Sequence, residues 1–452
     1  MSASPAGLTY AQALQALADR RRFGVRLGLG RTRALLHGLG DPHLAVRGAL
    51  IAGTNGKGSV LALTDAALRA AGHRVGTTPK PHLVTYRERI QIDGRPIAPA
   101  DFARLVHDVL RISDRIARRH GQPTEFELLT AVVFARFAEV RPDVAIVEVG
   151  LGGRLDATHA WDGGVVAVTN VELDHTDRLG GTIAAIAREK AAIIERGDLA
   201  VTSARGDGLA VIRRRARRLA VPLTEVEPAE IVGWDRDGID VELPNLGRTR
   251  VGLRGRHQAA NVAVADAVLD ALAEAGIART DPASRRAGYA AAVWPGRLEL
   301  LTVAGREVLL DGAHNPAGAA ALAEALDDLR PYLADGSLTL VTASMADKDV
   351  AGIVRALAAA RSLDGASVVC TSLDIPRAMP ALELAARWRA GLPTARIVAE
   401  PDHRAALDRA IAGGAGTPGP VVVAGSLYLV GAARAILVDD PVLRDPEPPE
   451  EA

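Results

Sequence analysis

The stretch Leu50-Ile-Ala-Gly-Thr-Asn-Gly-Lys-Gly-Ser59 decides how the chain is read. The apolar run Ala49 to Gly53 has the length of a buried strand, and the alanine-rich sequence from about Val60 has the character of a helix. Glycines between them let successive backbone N–H groups turn toward one anion at a helix N-terminus. Lys57 adds a point charge for β- and γ-phosphates, and Ser59 offers a hydroxyl to Mg2+. The strict phosphate-loop spacing is not met, because Ile51 stands where the first glycine would be and Gly58 separates Lys57 from Ser59. A tight structural turn is the competing reading.

Outward from this loop, short apolar runs alternate with alanine-rich helical stretches, the pattern of strands joined by crossover helices. Further strands are expected at Val144 to Gly150, Val165 to Asn170, Glu307 to Asp311, Leu338 to Ala343, Ala366 to Thr371 and Val421 to Gly425. Their carboxyl ends are where ligands of open α/β sheets sit. Residues 231–252 read as an antiparallel ribbon. The expected fold class is α/β: an N-terminal P-loop-type, mostly parallel sheet flanked by helices over 1–295, and a smaller Rossmann-like α/β domain over 296–438. The acidic, proline-rich tail 439–452 is expected to be disordered.

The 54 basic and 54 acidic residues cancel, which removes the broad positive face of a dedicated nucleic-acid binder. One cysteine, Cys370, needs no oxidising compartment and reads as a core residue. The N-terminal sequence lacks a targeting pattern and no run is long enough to span a membrane, so a cytoplasmic protein, monomeric and without membrane or nucleic-acid partners, is expected. Only four of the 54 basic residues are lysine: Lys57, Lys80, Lys190 and Lys348. A chain that uses arginine wherever a positive charge suffices keeps lysine where a compact, deprotonatable amine is needed.

Other candidates lie at strand ends. Glu148 closes a buried strand, where Mg2+ or a salt bridge would neutralise it. Asp174, His175 and Asp177 share one loop, with His175 a candidate metal or phosphate contact. Lys190 lies in a helical stretch and either serves the site or pairs on the surface. The C-terminal half carries Asp311, His314 and Asn315 in one βα loop, Lys348 in a second and a Gly425-Ser426 step in a third. These loops are expected to help enclose a nucleotide; ordinary βα turns are the alternative. The arginine cluster 213–218 reads as a solvated helix face.

Taken together, GTNGKGS at Gly53 to Ser59, EVGLGGRLDAT at Glu148 to Thr158, LDHTD at Leu173 to Asp177, REKA at Arg188 to Ala191, HQAAN at His257 to Asn261, PGRLE at Pro295 to Glu299, DGAHNP at Asp311 to Pro316 and GSLYLVG at Gly425 to Gly431 carry a resemblance. The chain resembles the folylpolyglutamate synthase/dihydrofolate synthase family of the Mur ligase superfamily, from about Phe23 to Arg434. The resemblance implies an ATP-dependent ligase, bifunctional in adding L-glutamate to dihydropteroate and to folates through an acyl phosphate.

Residue by residue, the resemblance implies that Gly53, Thr54, Asn55, Gly56, Lys57, Gly58 and Ser59 hold the ATP phosphates and that Asn261, Arg297 and Asp311 contact ATP. Lys57, Glu148, His175 and Lys190 would be catalytic, with Ser59, Glu148, His175 and a carbamoylated Lys190 as Mg2+ ligands. Thr124, Glu125, Phe126, Glu127, Leu155, Asp156 and Ala157 would line the pterin pocket, and His314 and Ser426 would lie near incoming glutamate. The family's Ser-Pro-His-Leu is replaced here by Lys80-Pro81-His82-Leu83, so a serine Mg2+ ligand gives way to a lysine whose ammonium would supply charge near the γ-phosphate. Competing readings are a folylpolyglutamate synthase only, a cell-wall Mur ligase, for which an additional N-terminal nucleotide-sugar domain is expected, a P-loop NTPase switch and a non-catalytic folate binder.

Overall fold

The computed structural model describes residues 7–24, 26–413 and 418–446. The chain divides into two compact units. Unit 1 comprises 1–228, 261–288 and 440–452; unit 2 comprises 229–260 and 289–439.

Unit 1 is built on eight strands: β1 (Gly48–Ala52), β2 (Val75–Thr78), β3 (Gln91–Ile92), β4 (Arg95–Pro96), β5 (Val144–Glu148), β6 (Gly164–Val168), β7 (Leu199–Thr202) and β8 (Leu223–Glu225). Their order is β4-β3-β2-β5-β1-β6-β7-β8, parallel except for the small β3 and β4 edge. The central strands are buried on both faces, hence their continuous apolar sequence. Helices Pro99–His120 and Glu125–Val140 contribute Phe102, Phe134 and Phe137 to a core that also takes in Leu50, Val147, Val166 and Trp161. Burying each such large side chain contributes about 1.5–3 kcal/mol. The Trp161 indole is satisfied by Val46 O at 3.0 Å.

Register places the site. Ile51 pairs with Glu148 and Ala52 with Val168, so the loops after β1, β5 and β6 leave the sheet side by side at its carboxyl edge.

Unit 2 holds a three-stranded antiparallel meander, β9 (Glu230–Asp235), β10 (Gly238–Leu243) and β11 (Gly247–Val251), as the ribbon reading of 231–252 anticipates. Its second sheet comprises β12 (Glu299–Val303), β13 (Arg306–Leu310), β14 (Ser337–Thr342), β15 (Ser367–Cys370), β16 (Arg396–Ala399) and β17 (Pro418–Ala424), in the order β12-β13-β17-β14-β15-β16. Only β12 runs antiparallel. Cys370 is buried in this unit's core.

One expectation is corrected. Residues 440–446, assigned from composition to a disordered tail, pack on unit 1, because Asp445 and two backbone carbonyls there meet buried donors. Residues 447–452 lie outside the described residues. Of the arginine cluster, Arg213, Arg214, Arg217 and Arg218 form the exposed helix face expected, whereas Arg215 turns in to donate to Ile194 O at 3.0 and 2.8 Å. No described helix is long and apolar enough to cross a membrane.

Candidate active site

The glycine loop begins at Gly53 and the helix starts at Lys57, three residues earlier than its composition suggests. Gly56 sets the helix entry at φ 81°, and a Cβ there would lie 2.3 Å from Asn261 Oδ1. Only glycine fits where the Asn261 carboxamide closes on the loop. From the end of β6, Asn170 Oδ1 accepts from Thr54 N–H (3.2 Å) and Asn55 N–H (2.8 Å), and Thr169 Oγ1 donates to Asn55 O (2.6 Å). Thr54 is also tied to Glu172, through both backbone groups, at 3.0 and 3.2 Å. Ser59 is buried in the first turn.

Three of the four lysines converge here. Lys57 Nζ donates to Gly53 O (3.1 Å) and Thr54 O (3.0 Å) and lies 4.0 Å from Glu148 Oε1. Lys190, on helix Ile183–Ala191, is buried and donates to the same Gly53 O at 2.8 Å. Burial pushes its amine down to about 7; nearby Lys57 adds to this and Asp174 opposes it. Lys80, beyond β2, donates through Nζ to Glu148 O and through its backbone N–H to Glu148 Oε2 at 2.8 Å. Its amine lies 5.6 Å from the Phe126 ring centre and is held down to about 8 by burial, against the pull of Asp156 and Glu148. Lys348 lies in unit 2, at the turn before helix Val350–Leu357.

The expected pterin segments separate into distinct jobs. Thr124 caps helix Glu125–Val140: Glu127 accepts from Thr124 N–H (2.7 Å) and Oγ1 (3.0 Å), and Arg31 Nε closes on both Glu127 oxygens at 3.0 Å. Glu125 accepts from the Tyr86 hydroxyl. Asp156 is buried with four donors on it: Gly150 N–H (3.1 Å), Leu151 N–H (2.8 Å), Thr158 N–H (3.0 Å) and Thr158 Oγ1 (2.6 Å). Leu155 O accepts from Gly28 N–H, and Ala157 is buried at the start of a short 3-10 turn. A small cavity is lined by Thr78, Lys80, Arg89, Phe126, Thr130 and Thr158.

His175 follows β6 in a left-handed conformation (φ 49°), and its Nε2 lies 4.0 Å from Asp174 Oδ2. Among the described residues no cluster of three or more His, Cys, Asp or Glu side chains forms a metal cage. Mg2+ needs none, since it is commonly held by one or two carboxylates, waters and the substrate's phosphates. Glu148 Oε1 beside the loop fits that donor set.

In unit 2, Asp311 is buried and accepts from Leu298 N–H (2.9 Å) and Ala313 N–H (2.8 Å), fixing the loop that follows β13. Arg297 Nη1 donates to Gly296 O at 2.9 Å. His257, beside Asp311 and Arg297, is kept below the ordinary imidazole range by burial. His314 Nδ1 lies 2.7 Å from Gly312 O, and Ser426 caps helix Leu427–Leu437. Sequence reasoning missed Asn170 and Thr169 as loop supports; a strand ending in Thr-Asn was the available signal.

Residues 51–269 match the Mur ligase middle domain and residues 296–427 the Mur ligase glutamate ligase domain. A glycine-rich loop on a parallel sheet together with these two domains defines an ATP-dependent, amide-forming ligase of the Mur type. The dihydrofolate synthase/folylpolyglutamate synthase of Bacillus subtilis is 34% identical over 385 residues, 83% of this chain and 88% of its own. That of Mycobacterium tuberculosis is 37% identical over 466 residues, 94% of this chain and 93% of its own. The structure of Mycobacterium tuberculosis folylpolyglutamate synthase complexed with ADP and AMPPCP matches with a TM-score of 0.84 at 34% identity, over 96% of this chain and 100% of that one. The chain belongs to the dihydrofolate synthase/folylpolyglutamate synthase family.

Proposed function

We propose that this chain ligates L-glutamate both to dihydropteroate and to folate (poly)glutamates, at the expense of ATP. One observation carries the reading: Lys57, Lys80 and Lys190, three of four lysines in an arginine-rich chain, converge on one glycine loop and on Glu148 at the end of the neighbouring strand, Lys80 through the Glu148 carbonyl and Lys57 beside its carboxylate. The acceptor's carboxylate oxygen attacks the γ-phosphorus, the bond to the β-bridging oxygen breaks, and ADP leaves an acyl phosphate. The neutral amine of glutamate then attacks the acyl carbon, phosphate departs, and the amine's proton is released. Such transfers depend on positioning and charge neutralisation.

In this reading the backbone N–H groups of Gly53 to Ser59 receive the phosphates, and Lys57 and Lys80 add positive charge. Asn261, Arg297 and Asp311 serve ATP. Ser59, Glu148, His175 and a carbamoylated Lys190 would hold Mg2+, which neutralises phosphate charge when bound. Burial lowers the Lys190 amine from 10.5 to about 7, which raises its neutral fraction near neutral pH, and reaction with CO2 requires the neutral form. Phe126 supplies an apolar face to the pterin. Thr124, Glu125, Glu127, Leu155, Asp156 and Ala157 shape the wall behind it, their polar groups being engaged internally. His314 and Ser426 are assigned to incoming glutamate. We place the enzyme in the cytoplasm as a monomer; its single thiol, Cys370, is buried and calls for no oxidising compartment.

The test is ADP release by purified protein. It should require Mg-ATP, L-glutamate and an acceptor together, and should be lost in Lys57→Met. ADP release independent of acceptor and glutamate would replace this reading with a simple NTPase.

A further inference from the structure

The segment between β2 and β3 carries Lys80, whose two bonds fix Glu148. It is organised internally: the Glu88 carboxylate accepts from Leu83, Val84 and Thr85 N–H at 3.1, 2.7 and 2.7 Å, and Arg89 Nε donates to His82 Nδ1 at 2.8 Å. Tyr86 bonds Glu125, at the edge of the proposed acceptor site. Arg87, in the middle of the segment, turns the other way and is only 3% exposed.

A guanidinium has five donors, no acceptor and no neutral form available, so its burial requires partners. Ile97 O provides one at 3.3 Å. The others come from the far end of the chain: Val442 O at 2.8 Å, Arg444 O at 2.9 Å and Asp445 Oδ1 at 3.3 Å. The same Asp445 oxygen accepts from Thr85 Oγ1 at 2.6 Å and Tyr10 OH at 2.8 Å. After completing unit 2, the chain thus returns to unit 1 and closes on three donors, two of them in the segment that carries Lys80. A random acidic tail would not place two carbonyls and a carboxylate around one buried cation.

We propose that Val442–Asp445 is a strap, with Asp445 as a positioning residue, that holds the Lys80–Ile90 segment in the conformation the ligase reaction uses. Without it the Arg87 charge is left with Ile97 O, and the segment must open to hydrate it. That motion releases Glu148 from Lys80 and Glu125 from Tyr86. The catalytic half of this inference rests on the proposed function; the structural half does not.

The experiment compares the full chain with Asp445→Ala, Asp445→Glu, a chain ending at Val438 and a chain ending at Pro446. Amide hydrogen exchange is followed without substrates, and kcat and KM are measured for acceptor and ATP. Asp445→Ala and the Val438 chain should accelerate exchange over residues 80–90 by about tenfold and lower kcat/KM for the acceptor by about tenfold, the size expected for a lost charge-assisted contact. ATP binding without acceptor should also weaken, because the opened segment releases Lys80 and Glu148, which the proposed function assigns to the phosphates and Mg2+. The Pro446 chain should match the full chain, and Asp445→Glu should recover part of the loss. Unchanged exchange over 80–90, acceleration spread evenly over unit 1, or normal kcat/KM beside a loosened segment would each overturn the proposal. If the Val438 chain does not fold, Asp445→Ala decides; if the full chain has no ligase activity, the functional reading fails while the exchange comparison still judges the strap.

Discussion

Lys190→Met removes an amine that the fold holds against its hydration. The residue is 4% exposed, its Nζ donates to Gly53 O at 2.8 Å, and its proton affinity is lowered from 10.5 to about 7. That difference corresponds to a cost on the order of 5 kcal/mol. Methionine of similar length gives up one hydrogen bond, about 1 kcal/mol. Gly53 O is not orphaned, because Lys57 Nζ also donates to it at 3.1 Å. The variant should therefore be more stable by roughly 3–4 kcal/mol, or roughly 6–16 °C in Tm for a unit of this size, while losing ligase activity. The folded-state pKa lies below the unfolded one, so the penalty on the native enzyme is complete below about pH 7 and fades as pH rises toward 10.5. The advantage of methionine should follow the same course, largest at or below neutral pH and vanishing in alkali. Lys80, lowered to about 8 by burial, is present in both proteins and cancels in the comparison. Thermal unfolding of both proteins in CO2-free buffer across this range measures it. A methionine variant less stable at neutral pH, or an advantage that ignores pH, would refute the reasoning.

Asp156→Asn should destabilise unit 1 by roughly 2–4 kcal/mol in denaturant unfolding, because its amide group must face N–H donors that now surround a carboxylate. Gly56→Ala, strained at φ 81° and driven into Asn261 Oδ1, should cost about 1–3 kcal/mol of stability, seen as a lower Tm, and weaken ATP binding by at least about tenfold in calorimetry. Lys80→Ser should shift the Mg2+ dependence of ADP release; an unchanged dependence would remove Lys80 from the phosphate chemistry.

The strands legible in the sequence were those buried on both faces. Gly48–Ala52, Val144–Glu148 and Gly164–Val168 read as apolar runs because no face of them meets water. Val75–Thr78 escaped notice because glycine and two threonines break its apolar signal, and Leu223–Glu225 and Arg396–Ala399 because edge strands carry polar residues. The scarcity of lysine singled out Lys57, Lys80 and Lys190, which meet beside the glycine loop, and equally Lys348, which lies in unit 2. Asn170 could not be found the same way, since its partners lie 115 and 116 residues away along the chain. Thr124-x-x-Glu127 carries a readable helix-capping signature inside a segment that also resembles an acceptor-pocket wall. Asp445 shows the converse: an acidic, proline-rich composition argues for disorder, and one buried arginine overrides it.

The most direct test is the mass of the product formed from dihydropteroate, and separately from tetrahydrofolate, with Mg-ATP and L-glutamate. The account predicts a gain of one glutamyl group on each acceptor, accompanied by ADP. A gain on tetrahydrofolate alone would contradict bifunctionality and leave a folylpolyglutamate synthase, and a gain on neither would contradict the assignment of this site to folate glutamylation.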